Sequence, residues 1–172
     1  MSEIHIAYLS IGSNLGNRET NLSRAIDGLT KSGIAVRRIS SIFETEPIGY
    51  LNQPWFLNVA VKAETILAPR DLLTGCLQIE AGEGRIRSFP GAPRTLDVDI
   101  LLYGDLILEE PGLEIPHPRM TQRRFVLEPL VQIAAEVMHP ALKKTIASLF
   151  ASCPDTSVVK QYPSRLDWPL EK

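Results

Sequence analysis

The sequence predicts an α+β fold in which helices cover both faces of one mainly antiparallel sheet, giving three layers, α/β/α. Up to Tyr103, extended and helical segments follow the order β-α-β-β-α-β, and two more helical segments come after it. The third extended segment, "WFLNVAVKAET", alternates apolar and polar residues as a half-buried antiparallel strand does. The order is that of a split βαβ, or ferredoxin-like, core with helices on one face. The extra C-terminal helices are therefore predicted to cover the other face.

The first half of the chain contains a strand, a helix and two more strands. "IHIAYLSIG" is predicted as the first strand, and "GSNLGN" as a turn. Leu22, Ala25, Ile26 and Leu29 recur at helical spacing, with the helix ending near Gly33. "IAVRRISSIFET" is rich in β-branched residues and predicts the second strand. The loop "EPIGYLNQP" separates it from the third strand.

The second half starts with a helix from Pro69 to about Glu80, because proline suits the first helical turn. The next segment, "AGEGRIRSFPGAP", predicts a long loop before the strand "PRTLDVDILLY". "LILEE" and "LEIPHPRM" are short extended pieces. "RRFVLEPLVQIAAEV" and "TIASLFASC" are predicted as the two C-terminal helices.

Length and composition indicate one domain. The chain has 172 residues, 44% of them hydrophobic, which is enough for one core. We expect a single domain over 1–172, with its core at about 4–150 and a C-terminal tail at 153–172. The formal charge of −2 predicts no general attraction to nucleic acid or to anionic membranes.

The ends and the cysteines favour the cytoplasm. No segment reaches the roughly 18 to 20 apolar residues of a membrane span, and the N-terminus is unlike a signal peptide. Cys76 and Cys153 lack metal-type spacing, so we expect two reduced structural thiols.

The most informative stretch is "DVD", which puts Asp97 and Asp99 on the same face of a strand. Leu101 and Tyr103 are predicted on that face, and Leu96, Val98, Ile100 and Leu102 on the other. Two carboxylates suit Mg²⁺, which binds one or two of them together with substrate phosphates. An isolated D-x-D is more often a solvated strand face. Here the strand is otherwise apolar and has arginines upstream, which favours phosphoryl-transfer chemistry.

Other side chains have both an ordinary and a functional interpretation. Arg85, Arg87 and Arg94 are either solvated or phosphate ligands. His117 lies between two prolines and is either structural or a phosphate donor. "GSNLGN" matches no strict phosphate loop. Trp55, Phe56 and Phe125 are either core residues or walls of a slot for a planar ligand.

Five segments taken together resemble one family. They are "AYLSIGSNLGNRETNL", "FETEPIGYLNQPWFLNVAV", "IEAGEGRIR", "GAPRTLDVDILLYG" and "IPHPRMTQRRFVLEPL". In this order they resemble 6-hydroxymethyl-7,8-dihydropterin pyrophosphokinases, enzymes of folate biosynthesis, over roughly residues 4–150. The resemblance implies Mg²⁺-dependent transfer of pyrophosphate from ATP to the hydroxymethyl group of the reduced pterin, with release of AMP. It also implies a monomer.

The resemblance assigns roles by position. Asp97 and Asp99 match the pair that binds two Mg²⁺ ions and, with Arg85 and Arg94, the catalytic set. The residues that match the family's ATP contacts are Glu80, Arg87, Ile100, His117 and Arg123. Those that match the pterin site are Thr45, Glu46, Ile48, Phe56, Asn58 and Phe125. Ser13 and Asn14 match a first flexible loop that closes over the site.

Two departures from the family pattern concern the nucleotide side. Members commonly have R-W-G-P-R before the aspartates, whereas this chain has "SFPGAPR", in which Phe89 stands at a different offset from the tryptophan. Leu77 replaces a polar residue three positions before Glu80. The departures affect how the loop covers ATP, and leave the two aspartates in place.

Three alternatives remain open from the sequence. One is a D-x-D glycosyltransferase or nucleotidyltransferase, for which 172 residues are few. Another is a non-enzymatic ferredoxin-like interaction module, which the net charge and the acidic strand disfavour. The last is a relative that has kept the ligand residues and lost turnover.

Overall fold

The structure is a computed structural model that describes residues 2–84, 89–164 and 166. Its main sheet has six strands, all paired antiparallel, in the order β10-β3-β4-β1-β5, with β2 pairing β4 beside β3. These strands are β1 (His5–Ser13), β2 (Ala35–Ile39), β3 (Phe43–Thr45), β4 (Phe56–Thr65), β5 (Asp97–Tyr103) and β10 (Val159–Gln161). Two small hairpins lie apart from it: β6 (Leu108–Glu110) with β7 (Leu113–Ile115), and β8 (Met138–His139) with β9 (Lys144–Thr145). The predicted α+β class with a mainly antiparallel sheet is confirmed.

The helices divide between two apolar cores on opposite faces of the sheet. They are α1 (Arg18–Lys31), α2 (Pro69–Gly82), α3 (Arg124–Ala134) and α4 (Ile146–Ala151). Side chains of α1 and α2 pack with Leu9, Val59 and Val98. Side chains of α3 and α4 pack with Tyr8 and Ala60, which alternate with those strand residues and so point the other way. Both faces are covered, as predicted.

The helices begin and end at residues that the sequence marks. Asn17 caps α1, since its side-chain oxygen accepts a hydrogen bond from the Thr20 N–H at 3.0 Å. Pro69 occupies the first turn of α2, as its fixed φ favours. Thr145 caps α4 by accepting from the Ser148 N–H at 3.1 Å.

The predicted second strand is two strands, β2 and β3, and this corrects the prediction over 34–45. The break lies at Ser40, whose N–H donates to the Ala60 carbonyl at 2.9 Å while its Oγ accepts from the Ala60 N–H at 2.9 Å. A hydroxyl that satisfies the neighbouring backbone competes with the regular ladder. Both strands then pair with β4.

The alternation predicted for β5 fails near its end. The pairing of β1 with β5 shifts register between Tyr8 and Leu9. The irregularity places both Leu101 and Leu102 in the α3/α4 core and Tyr103 in the α1/α2 core. Tyr103 was therefore wrongly predicted on the face of the aspartates and Leu102 wrongly on the opposite face, because a bulge resets which way side chains point.

The tail contributes a strand that the sequence did not predict. β10 pairs with β3 and forms an edge of the main sheet. Trp168 lies outside the described residues. Cys76 is buried on α2, where burial first and the nearby Glu80 and Asp99 next raise its thiol pKa to about 12. None of the helices described here is long and apolar enough to cross a membrane.

Candidate active site

The two aspartates lie on β5 opposite β1, with Asp99 facing Ser10 and Asp97 facing Gly12. Val98, between them, belongs to the α1/α2 core, so the carboxylates point to the other face. That face carries the α3/α4 core farther along the strands and opens into cavities at this end of β5. The predicted shared face of Asp97 and Asp99 is thus present in the fold.

Asp99 is partly buried beside two other carboxylates. Burial first, then the charge of Asp97 and then that of Glu80, raise its carboxyl pKa from 3.8 to about 7, against the opposing effect of Arg123 and Arg94. A buried carboxylate next to like charges favours its protonated form. A cation at this position would offset that negative charge.

Arg94 already contacts one of the two carboxylates. Its Nη1 donates to Oδ2 of Asp97 at 2.6 Å, and both side chains are largely shielded from solvent. Arg94 is therefore placed in the site by direct contact. A metal ion on Asp97 must share this carboxylate with Arg94 or displace it.

His117 and two arginines lie across from the aspartates. Burial, followed by the charges of Arg123 and Arg119, lowers the His117 pKa to about 4, so the imidazole is neutral at pH 7. Its Nδ1 accepts from the Arg119 backbone N–H at 3.2 Å, which leaves the proton on Nε2. His117 can thus donate one hydrogen bond to an anion. The His117 N–H donates to the Leu101 carbonyl at 2.9 Å, which ties this loop to β5.

The first cavity, of about 360 Å³, lies between the sheet, the 46–55 loop and the start of α3. All six residues assigned to the pterin by resemblance line it: Thr45, Glu46, Ile48, Phe56, Asn58 and Phe125. Phe125 also packs against the α3/α4 core, and the Arg123 guanidinium lies 5.6 Å from its ring centroid. Aromatic walls with polar groups suit a flat, hydrogen-bonding ligand.

The second cavity, of about 630 Å³, adjoins the first and is lined mainly by the 89–94 loop and the 117–123 segment. Both cavities are lined by Pro90, Gly91, Arg94, Asp97, Asp99, Arg119 and Arg123. The carboxylates therefore stand where the two compartments meet. An aromatic slot with polar groups on one side and a cationic opening on the other can hold two different substrates.

Asn58 is fixed at the floor of the first cavity. It is 4% exposed, and its Nδ2 donates to Thr45 Oγ1 at 2.6 Å. Its Oδ1 lies against Gly12, where an added Cβ would come within 2.5 Å of that oxygen. Gly12 is thus required for close approach of the Asn58 amide, and it lines the cavity itself.

Asn14 and Gln53 join three loops. The Asn14 side chain donates to Gln53 Oε1 and to the Pro54 carbonyl, each at 2.9 Å, and accepts from the Arg94 N–H at 2.7 Å. Gln53 in turn donates to the Gly91 carbonyl at 3.0 Å. These bonds hold the buried Asn14 side chain in place, and Ser13 is the buried last residue of β1. In this state the exposed part of the segment is 15–17, and its expected closure over the site stays a prediction.

Some assigned residues are elsewhere or not described. Glu80 is buried in α2, and its Oε1 accepts from the Val98 N–H at 2.8 Å, so it supports β5 from behind. Ile100 lies in the α1/α2 core. Neither lines the two cavities described above. Arg85 and Arg87 lie outside the described residues.

Eight residues that line the first cavity had no role assigned from the sequence: Ser10, Gly12, Gly49, Tyr50, Gln53, Pro90, Gly91 and Arg119. A glycine inside a predicted strand was the one available signal. Tyr50 contacts Phe89 edge to face, with ring centroids 5.2 Å apart, so Phe89 takes part in joining the loops. Side chains that connect loops follow no periodic pattern or fixed spacing in the sequence, so the sequence does not identify them.

The carboxylates of Asp97 and Asp99 suit a hard cation whose remaining ligands come from a bound substrate. Among residues 2–84, 89–164 and 166, no group of three or more His, Cys, Asp or Glu could hold a metal ion without help. Two carboxylates and a cationic surround instead fit the way Mg²⁺ is bound with phosphates.

Comparison with known proteins gives the family. The model of the 7,8-dihydro-6-hydroxymethylpterin-pyrophosphokinase (HPPK) family matches residues 8–135. The Bacillus subtilis 2-amino-4-hydroxy-6-hydroxymethyldihydropteridine pyrophosphokinase is 46% identical over 138 residues, covering 80% of this chain and 83% of that protein. The protein of that name from Aquifex aeolicus is 37% identical, covering 81% and 86%.

Longer relatives contain the same region. The folic acid synthesis protein of Pneumocystis carinii is 38% identical over 156 residues, which is 91% of this chain and 21% of that protein. The chain thus spans about a fifth of that relative's length. The Plasmodium falciparum HPPK-DHPS wild-type structure with pteroate matches the fold, with a TM-score of 0.70 at 16% identity, covering 88% of this chain and 42% of that one. On the family match and these identities, the chain belongs to the 7,8-dihydro-6-hydroxymethylpterin-pyrophosphokinase family.

Proposed function

We propose that this protein transfers pyrophosphate from ATP to the hydroxymethyl group of 6-hydroxymethyl-7,8-dihydropterin. The supporting observation is that Asp97 and Asp99 stand between an aromatic, amide-bearing cavity and a cationic one. The hydroxymethyl oxygen attacks the β-phosphorus of ATP, and the bond from that phosphorus to the α-phosphate bridge oxygen breaks. AMP leaves with the bridge oxygen, and one proton is released.

The chain's own residues bind and orient the two substrates. Asn58 and Thr45 meet the polar edge of the pterin between Phe56 and Phe125. Arg94, Arg123 and neutral His117 bind phosphate oxygens, and Asp97 and Asp99 would hold Mg²⁺. Held by these carboxylates, the metal would supply positive charge that offsets the negative charge of the triphosphate. Transfer of this kind depends mainly on positioning and charge stabilisation.

The roles of Glu80 and Ile100 at the nucleotide are proposed to be indirect. Glu80 supports the backbone of β5 at Val98, and Ile100 anchors the strand in the core. Both would position the aspartates. Arg85 remains a proposed member of the catalytic set, and Arg87 a proposed ATP ligand. A two-ion Mg²⁺ site, a monomeric state, a cytoplasmic location and the absence of nucleic-acid or membrane partners are further parts of this proposal.

The direct experiment mixes the protein with ATP, Mg²⁺ and the pterin alcohol and separates the products by chromatography. AMP appearing with the pterin diphosphate supports the proposal. Binding of nucleotide sugars in preference to ATP in a thermal-shift panel would instead favour a glycosyltransferase, and no product despite binding of both substrates would indicate lost turnover.

Replacing Phe125 by alanine is expected to weaken pterin binding about tenfold and to change ATP binding little. It removes one wall of a stack, whose worth is about 1 kcal/mol beyond burial. Because Phe125 also packs on the α3/α4 core, we expect a loss of a few degrees in Tm as well. Calorimetry with each ligand measures this, and unchanged pterin affinity with a large Tm loss would make Phe125 a core residue only.

ATP is expected to bind before the pterin and to raise the affinity of the protein for the pterin. The two sites are coupled because the Gln53 side chain in the 46–55 loop donates to the Gly91 carbonyl in the 89–94 loop. Such coupling is reciprocal. Gln53→Ala should reduce this enhancement of pterin affinity several-fold. The affinity for the nucleotide in the absence of pterin should stay within about twofold of the wild-type value. Pterin titrations with and without a non-hydrolysable ATP analogue provide the test, and equal enhancement in both proteins would rule out Gln53 as the link.

A further inference from the structure

The C-terminal tail returns to the first cavity after the region that the family model matches has ended. The match stops at residue 135, and β10 lies beyond it at Val159–Gln161. β10 pairs with β3, whose last residue, Thr45, lines the cavity. The 158–162 segment therefore lies next to one wall of the site.

One end of the 46–55 loop is bound directly by this segment. The Val158 N–H donates to Oε1 of Glu46 at 2.7 Å, and the Glu46 N–H donates to the Val158 carbonyl at 3.1 Å. Glu46 lines the first cavity. Since one carboxylate oxygen is held by the tail, the orientation of the other is set by it.

The other end of the loop is bound through Tyr162. Its hydroxyl donates to Oε1 of Glu19 at 3.0 Å, and the Arg18 guanidinium lies 5.9 Å from its ring centroid. Arg18 donates from Nη1 to the Trp55 carbonyl at 2.9 Å and to Glu44 Oε2 at 2.8 Å. Trp55 immediately precedes Phe56, a wall of the cavity.

The loop itself has little apolar packing between these ends. Ile48, Tyr50 and Leu51 are 49%, 42% and 72% exposed. A segment with few buried contacts opens at low free-energy cost unless its ends are held. Ile48, Gly49, Tyr50 and Gln53 all line the cavity, so the position of the ends determines the shape of the cavity.

We infer that Val158 and Tyr162, on either side of β10, form a brace that fixes both ends of the 46–55 loop and so sets the affinity of the first cavity for its ligand. The brace residues are positioning residues, since they act through Glu46 and Trp55. The identity of the ligand as the pterin rests on the proposed function, whereas the bracing of the loop does not.

The test uses the full chain with three single changes. Val158→Pro removes the N–H that binds Glu46, and Tyr162→Ala removes the support of Arg18. Gln161→Ala is the matched control, because that side chain donates to Ser41 Oγ at 3.4 Å, outside the loop. Hydrogen exchange of the ligand-free proteins reports on the loop, and steady-state kinetics report KM for each substrate and kcat.

In both brace variants we expect faster exchange confined to residues 46–55, a KM for the pterin raised about tenfold, and a KM for ATP and a kcat within about twofold. The Gln161→Ala control should match the wild type. Unchanged loop exchange, or faster exchange with an unchanged pterin KM, would overturn the inference. If the wild type makes no AMP, the proposed function fails, and the brace is then judged by loop exchange and by direct pterin binding in the same variants. If Val158→Pro does not fold, Tyr162→Ala decides.

Discussion

Asp99→Asn is expected to remove nearly all turnover and yet to stabilise the ligand-free protein at pH 8. Burial and the neighbouring carboxylates raise the Asp99 pKa to about 7, so at pH 8 Asp99 is ionised in both states and its charge is unfavourable only in the folded one. The amide removes that charge. One pKa unit corresponds to about 1.4 kcal/mol, which makes the gain of the order of a few kcal/mol.

The sign of this effect reverses the usual behaviour of an acidic side chain. An acid whose folded pKa lies above its unfolded value binds more protons when folded, so wild-type stability falls as pH rises from about 4 to about 7. The advantage of Asp99→Asn should be largest above pH 7 and should vanish near pH 4. Denaturant melts at several pH values measure it.

Asp97→Asn is expected to behave differently in the ligand-free protein although it loses turnover too. It relieves Asp99 of a like charge, but it also deprives Arg94 of the ion pair at 2.6 Å. These effects oppose each other, so Tm should stay near that of the wild type. Asp105→Asn, an exposed carboxylate in the turn after β5, is the matched control.

With Mg²⁺ and ATP the order of stabilities should change. The wild type and the Asp105→Asn control should gain about 2.7 kcal/mol at a hundredfold excess of ligand over its Kd, and both site variants much less. Turnover should fall roughly 1,000-fold in each. Equal ligand-induced shifts in all four proteins would remove Asp97 and Asp99 from the metal site.

Gly12→Ala is expected to remove most pterin binding with the fold intact. The new Cβ would lie 2.5 Å from Asn58 Oδ1, so the amide has to turn away from Thr45 and into the cavity. Losing an amide that recognises the ligand costs on the order of 1–3 kcal/mol, or roughly 5- to 150-fold in pterin affinity. ATP affinity should change little, because Gly12 lines only the first of the two cavities.

Gly75→Ala is the control for the substitution itself. It lies in α2, where the added Cβ meets Ile34 at an ordinary 3.8 Å, and alanine favours the helix by up to about 1 kcal/mol. Calorimetry with the pterin compares the two variants. If Gly12→Ala binds the pterin as the wild type does, Asn58 is not the side chain that recognises it.

The sequence predicted the elements whose apolar residues recur with the period of a strand or a helix. The alternation of β4 and the helical stripe of α1 follow directly from which faces are buried. The break at Ser40 and the bulge in β5 were not predicted, since each arises from a local hydrogen bond or register shift with no apolar pattern. β10 is short and partly exposed, and nothing in its three residues marks a strand.

The site residues likewise divide into those that the sequence predicted and those that only the structure shows. Motif resemblance named the aspartates and the lining of the first cavity, and the fold brings these together. It also named Glu80, whose carboxylate is used by the backbone of β5, a contact between segments 18 residues apart that spacing does not reveal. Gln53 and Tyr162 act by joining distant loops, so only the structure shows their contacts.

The most direct measurement of the central claim follows the two terminal phosphates of ATP separately. ATP labelled at the β-phosphorus and ATP labelled at the γ-phosphorus are each reacted with Mg²⁺ and the pterin alcohol, and the label is traced to product. The account predicts that both labels enter the pterin product, with one AMP formed per transfer. Entry of the γ label alone, with ADP as the other product, would contradict it.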